Sequence, residues 1–238
     1  LAATRRRVLL VDMDPQGNAT MGSGVDKNAL ELSGYDVLTK RASPAEVIVK
    51  TDASGFDLLP ANGDLTAAEV ELMNEIGREH RLRLALNSVR ENYDYILIDC
   101  PPSLNLLTVN SLSAADSVLI PMQCEYYALE GLAALMNTVE QIKETVNPNL
   151  EIEGILRTMY DPRNSLTLDV SGQLSEYFGE KVYRAVIPRN VRLAEAPSYG
   201  MPALAYDKTS KGAVAYLALA GEMVRRHGSK KTSAAVAV

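Results

Sequence analysis

Two runs of apolar residues, Val8-Leu9-Leu10-Val11 and Tyr95-Ile96-Leu97-Ile98, each stop abruptly at an aspartate, Asp12 and Asp99. A strand that is apolar at consecutive positions has no face to offer water, so both of its sides must be covered. That is the situation of a strand inside a parallel sheet flanked by helices. Ligands of such sheets bind at the carboxyl ends of the strands, which is where these acids stand. A carboxylate there loses hydration unless a cation or a donor compensates it. Mg2+ is one such compensation, since it keeps waters and takes one or two carboxylates together with phosphate oxygens. Read singly, each aspartate fits equally well as the cap of a following helix.

The rest of the chain repeats the alternation. Further strands are expected over 118–121, 152–159 and 182–187, with a weaker one over 56–60. Helices are expected over 81–91, 104–114, 129–146, 166–178 and 213–226. Thr66-Ala67-Ala68-Glu69 has the form of a capping box opening one more helix, with Val70, Met73 and Ile76 at helical spacing. Strand and helix in alternation with short connections give an α/β fold, a mostly parallel sheet covered by helices on both faces. With 238 residues and no linker rich in Pro, Gly or Ser, a single domain is expected over 1–228. A flexible tail is expected over 229–238, because its residues are small and polar.

Composition removes several classes. The two cysteines, Cys100 and Cys124, share no ligand spacing with each other or with His80 and His227, so a metal site built on them is not expected. No apolar run approaches the roughly 18 residues of a membrane span, and no signal peptide is visible, so a cytoplasmic protein is expected. The net charge of −6 is unevenly spread. Ten Lys and Arg against three acids fall between 181 and 231, a local charge of +7 that leaves −13 on the remainder. A basic last quarter on an acidic body suits contact with a polyanion, and it also describes an ordinary solvated face.

Four strings in order carry a resemblance: Asp12-Met13-Asp14-Pro15-Gln16-Gly17-Asn18, Asp99-Cys100-Pro101-Pro102-Ser103, the run 123–131 from Gln123 to Gly131, and the run 186–198 from Val186 to Ser198. Together they closely resemble the ParA/Soj branch of the deviant Walker ATPases, over nearly the whole chain. The resemblance implies a P-loop NTPase-like fold and a DNA segregation (partition) ATPase. Its cofactors would be ATP and Mg2+. It would bind non-specific DNA as an ATP-dependent homodimer, hydrolyse ATP when stimulated by a ParB-like centromere-binding protein, and lie on the nucleoid. By the same resemblance Asp14 orients the attacking water, while Asp12 and Asp99 hold the Mg2+ shell. Pro188 and Asn190, with Met159 beside them, flank the adenine. Arg163, Arg189 and Arg192 match positions used on DNA, and Lys208 and Lys211 are added to them from the basic last quarter.

One part of the family pattern is not in these residues. Polyphosphate needs a cradle of backbone N–H groups and a lysine, and no G-x-x-x-x-G-K-[ST] occurs in the 238 residues. The chain opens Leu1-Ala2-Ala3-Thr4, which reads as the last turn of a helix, with Arg5, Arg6 and Arg7 suited to its negative end. The expectation is therefore a fragment whose first strand and P-loop are missing, unable by itself to turn over ATP. Two other readings stand beside it. One is a catalytically silent module that acts through its DNA- or partner-binding surfaces. The other is a MinD-like positioning ATPase, against which the small residues over 228–238 offer too little apolar surface to anchor on a membrane.

Overall fold

The computed structural model describes residues 1–51, 55–228 and 234–238. Eight strands form one sheet: β1 Val8–Asp12, β2 Val49–Lys50, β3 Asp57–Leu59, β4 Tyr95–Asp99, β5 Ser117–Gln123, β6 Glu151–Tyr160, β7 Val182–Pro188 and β8 Ala234–Ala237. Their order is β2-β3-β1-β4-β8-β5-β6-β7. Every pairing is parallel except that of β2 with β3. The helices are α1 Asn18–Gly22, α2 Gly34–Leu38, α3 Pro44–Val47, α4 Leu65–Glu71, α5 Arg81–Leu86, α6 Leu106–Ala114, α7 Ala128–Thr145, α8 Ser165–Phe178, α9 Val191–Glu195, α10 Ala203–Tyr206 and α11 Lys211–His227.

The unbroken apolar strands are covered on both faces, as their sequences require. Leu9, Val11, Ile96, Ile98, Val118 and Ile120 enter the larger core. Their neighbours along the same strands, Val8, Tyr95 and Leu119, enter a second core with Leu219 and Met223 of α11. This is the period of two expected of a pleated strand, with a different set of helices closing each face.

The amino ends of the central strands are tied together by a polar cluster. Glu153 of β6 accepts from the hydroxyl of Tyr183 at 2.6 Å and from Ser117 at 3.3 Å. His227, the last residue of α11, lies 2.8 Å from the same carboxylate and stacks on Tyr95 of β4. Burial pushes the Glu153 carboxyl up, but the bonds from His227, Tyr183 and Ser117 outweigh it and hold the group below its ordinary value. One turn back, Glu222 accepts from the backbone N–H groups of Arg184 and Ala185 and pairs with Arg226, fixing α11 to β7.

Two expectations fail here. The helix expected to open at Thr66 instead opens at Leu65, and no side-chain bond caps it. Starting there, it buries Leu65, Ala68 and Leu72, so Val70 is turned outward. The helix gives way to a 3-10 turn at Leu72–Asn74, and Met73 and Ile76 end exposed. The tail is not flexible throughout. Ala234–Ala237 form a buried strand in the middle of the sheet, paired with β4 and with β5. Alternating small apolar residues make an adequate strand wherever two apolar neighbours leave main-chain groups unpaired. The preceding 229–233, part of the expected tail, lies outside the described residues.

Candidate functional site

β1 and β4 run side by side in register, with Asp12 the partner of Asp99, and both strands end on these acids. Asp12 is fully buried. One of its oxygens accepts from the backbone N–H of Thr20 at 2.8 Å and from the Thr20 hydroxyl at 2.7 Å; the other accepts from the N–H of Asp14 at 3.1 Å. The Thr20 hydroxyl in turn accepts from the N–H of Ala61 at 2.9 Å, which links the loop after β3 to the end of β1. Burial raises the Asp12 carboxyl, and the Thr20 bonds oppose the rise.

The turn between β1 and α1 is compact. Asp14 accepts from the N–H of Gln16 at 2.9 Å, and its own carbonyl accepts from Gly17 at 2.9 Å. Gly17 has φ +60, and a Cβ there would lie 2.7 Å from the carbonyl oxygen of Ala61. Only glycine meets both conditions at no cost. Met13 donates its N–H to the carbonyl of Asp99 at 2.9 Å, so the two acid-bearing strand ends are stitched to one another.

Asp99 is provided for differently. Burial, then the charges of Asp12 and Asp14, push its carboxyl up to about 7. Three acids at the carboxyl end of the sheet, with Asp99 raised first by burial and then by the charges of the other two, form a site that a cation would relieve. Among the described residues no group of three or more His, Cys, Asp or Glu side chains is close enough to hold a metal ion directly. Asp12 and Asp99 side by side are the one or two carboxylates that a hydrated Mg2+ takes along with water and phosphate.

Further along the same edge, Met159 lies near the end of β6 with φ +50 and is 42% exposed. Its neighbour Tyr160 pairs with Pro188, the last residue of β7. Asn190 accepts from the N–H of Arg192 and so caps α9. These residues stand three and four strand positions from β4, about 14 and 19 Å at normal strand spacing.

The basic candidates divide by their partners. Arg163 is fully committed to Asp161, with Nε and an Nη donating at 2.9 and 2.7 Å. The pair holds the Asp161 carboxyl down at about 2. Arg192 is bound to Glu195 at 2.7 Å, with Asp207 at 3.6 Å. Arg189, Lys208 and Lys211 are exposed. Part of the basic last quarter is engaged within the chain instead. Lys181 donates to the carbonyl of Ile152, and Arg226 lies 3.8 Å over the ring of Tyr183 while donating to Val182.

An "AAA domain" family model matches residues 1–152. The chromosome partitioning protein ParA of Caulobacter vibrioides is 50% identical over 237 residues, covering 99% of this chain and 89% of its own length. The sporulation initiation inhibitor protein Soj of Bacillus subtilis is 53% identical over 223 residues, covering 94% of this chain and 88% of its own. This chain belongs to the ParA/Soj family of partitioning ATPases.

The ParA/Soj architecture extends to solved structures. A protein described as cobyrinic acid a,c-diamide synthase from Mycobacterium smegmatis, with bound ATP analog and magnesium, has a TM-score of 0.83 and 37% identity. That match covers 98% of this chain and 89% of the other. The fold is the P-loop NTPase-like sheet expected of the family. Thr20 was not legible as part of the site, although it binds the buried acid through both its N–H and its hydroxyl. The only signal was a hydroxyl one turn past the Asp-Pro-Gln-Gly turn, in a string otherwise dominated by its acids. Among the described residues no helix is long and apolar enough to cross a membrane.

Proposed function

We propose that the chain is the body of a DNA segregation ATPase that uses ATP with Mg2+, dimerises on ATP, and holds DNA without regard to sequence. A ParB-like centromere-binding protein stimulates its hydrolysis. The observation that carries this reading is the register of Asp12 with Asp99, which puts two acids on one edge with Asp14 beside them. Bound there, Mg2+ would neutralise charge on the terminal phosphates. Asp12, oriented by Thr20 and Asp14, and Asp99, next to the main-chain bond from Met13, would hold such an ion through its waters. Asp14 lies on the turn beyond the strand and orients the attacking water. Met159, Pro188 and Asn190 flank the base at the far end of the edge.

Dimerisation on the same edge is supported by its exposed apolar side chains. Leu104, Tyr126, Tyr127 and Val191 all follow carboxyl ends of strands and are 58% to 74% exposed. DNA contact falls to Arg189, Lys208 and Lys211, and to Arg163 and Arg192 once phosphate competes with their carboxylate partners. Two weak patches on a dimer would then act together through effective concentration.

These 238 residues supply the Mg2+ and adenine sides of a site but no lysine-bearing phosphate loop, so turnover is proposed for the polypeptide in which such a loop stands with them. The test is ATP turnover with and without Asp14→Ala, for the chain alone and joined to a K-G-G-x-G-K-T-T loop. Hydrolysis is expected only in the joined form, and Asp14→Ala should abolish it while ATP still binds. Turnover by the chain alone that depends on Asp14 would show the phosphate site to be misplaced.

A further inference from the structure

A cavity of about 310 Å3 lies between the end of α2 and the start of α5, lined by Lys40, Ile76, His80, Arg81, Arg83 and Leu84. Among the described residues no acid lines it, although the chain outside 181–231 carries a net −13. Its floor is fixed by α6. Buried Asn110 accepts from the N–H of Leu82 at 3.1 Å and donates to the carbonyl of Arg78 at 2.9 Å, and His80 Nδ1 lies 2.7 Å from the Ser113 hydroxyl. Arg81 is only 8% exposed; Glu75 meets one Nη at 2.6 Å, while the buried Nε has no hydrogen-bond partner. Lys40 has φ +61 just past the end of α2, a place where glycine closes a helix at less cost. A lysine there sets charge at the cavity against backbone strain.

The same stretch leaves bulky apolar groups in water. Ile76 is 99% exposed, Val70 67%, Leu84 61% and Met73 58%, all from α4 to α5. Apolar groups gathered in this way mark contact sites.

We propose that this cavity anchors a docking site for an acidic amphipathic helix of a partner protein. Its apolar side chains pack on Ile76 and Leu84, and its carboxylates meet Lys40 and Arg83. α4 and α5 offer no strand edge, so the occupant is held through side chains, in the manner of a helix laid in a groove. Charge complementarity selects the acidic face. A flat anionic membrane suits the place less. Glu69, Glu71, Glu75 and Glu79 lie on the same segment and would meet its charge, whereas a helix enters the cavity and leaves them outside. The site shares no residue with those proposed for nucleotide, DNA or a second subunit, and the inference does not depend on the ATPase reading.

The experiment is a fluorescence-polarisation titration of the full chain into the labelled peptide Asp-Leu-Glu-Glu-Leu-Leu-Asp-Glu-Ile-Leu-Glu-Asp. A twin carrying Lys at every acid serves as control. Saturable binding of the acidic peptide is expected, with none of the basic one, and with slower amide exchange over 72–86 in the complex. Lys40→Gly should weaken binding about threefold, the size of one exposed ion pair, while the urea midpoint stays equal or rises because glycine suits the turn. Ile76→Ser, at a fully solvated position, should weaken it by about tenfold or more. Equal binding of the two peptides, no saturation by about 1 mM, or parent-like affinity in both variants would overturn the proposal. So would sedimentation of the chain with phosphatidylglycerol vesicles that the acidic peptide does not reverse, since the patch would then belong to a membrane surface.

Discussion

Asp12 and Asp99 are register partners on adjacent strands, yet only Asp12 is furnished with donors. The Thr20 hydroxyl and two backbone N–H groups oppose, without cancelling, the effect of burial on Asp12. For Asp99 the main-chain bond from Met13 reaches the carbonyl and leaves the side chain to its surroundings. The pair is therefore asymmetric: Asp12 is bonded into the fold, and the Asp99 carboxyl is governed by burial and by the charges of Asp12 and Asp14.

Removing the donor side of that asymmetry should be costly. Thr20→Val deletes a hydroxyl that bonds the buried carboxylate and also receives the N–H of Ala61. We expect a loss of about 2–3 kcal/mol in urea unfolding, the cost of leaving buried polar groups short of partners. Thr20→Ser should recover most of it. If Thr20→Val unfolds like the parent, the Asp12 cluster contributes nothing to stability.

The two outer acids should separate by phenotype in the loop-bearing polypeptide. Asp14→Ala should bind ATP and fail to hydrolyse it, so that ATP-bound dimers accumulate. Asp99→Ala should weaken Mg2+-dependent binding itself. Titration of Mg2+ at fixed nucleotide distinguishes these outcomes. Parent-like hydrolysis in both variants would reduce the strand-end acids to helix caps.

At the opposite rim, Glu153 predicts an acid limb of stability. Its folded-state carboxyl lies below the ordinary value of 4.5, because bonds from His227, Tyr183 and Ser117 overcome burial. The native state thus holds this proton less tightly than the unfolded state does. The stabilisation is fully present above 4.5 and fades as pH falls through the lowered folded value. Glu153→Gln should flatten the acid end of a plot of urea midpoint against pH. An unchanged profile would count against the cluster.

The pairing of Arg163 with Asp161 makes a directional prediction for DNA. Asp161→Asn should free the guanidinium and tighten binding of the ATP-bound dimer to unrelated duplexes. Arg189→Ala should weaken binding on all sequences alike and lower the salt slope by about one for each phosphate left without its cation. A salt series on two unrelated duplexes measures both. A strong preference for one duplex would contradict backbone contact.

Most of the sheet was legible because Val8–Asp12 and Tyr95–Asp99 signal burial on two faces by themselves, and their acids mark the edge that matters. What was not legible depended on choices between near-equal local options. The run at Thr66 supports either of two helix starts, and tertiary burial of Leu65 and Leu72 selected the earlier one, leaving Ile76 in water. Ala234–Ala237 carries no strong strand propensity, and only the open edges of β4 and β5 give it a place. The carboxylates that engage Arg163 and Arg192 lie two and three residues away in sequence, where a scan for positive charge passes over them.

The cluster of Glu153, Tyr183, Tyr95 and His227 gives the sheet a fixed rim and a free one. Four strands are clamped at their amino ends, together with the carboxyl end of α11, while the acids and Met159 lie at the other rim. Movement of β4 to β7 would then open like a fan from its rivet: small displacements at the polar cluster, large ones among the residues proposed above for nucleotide, DNA and a second subunit.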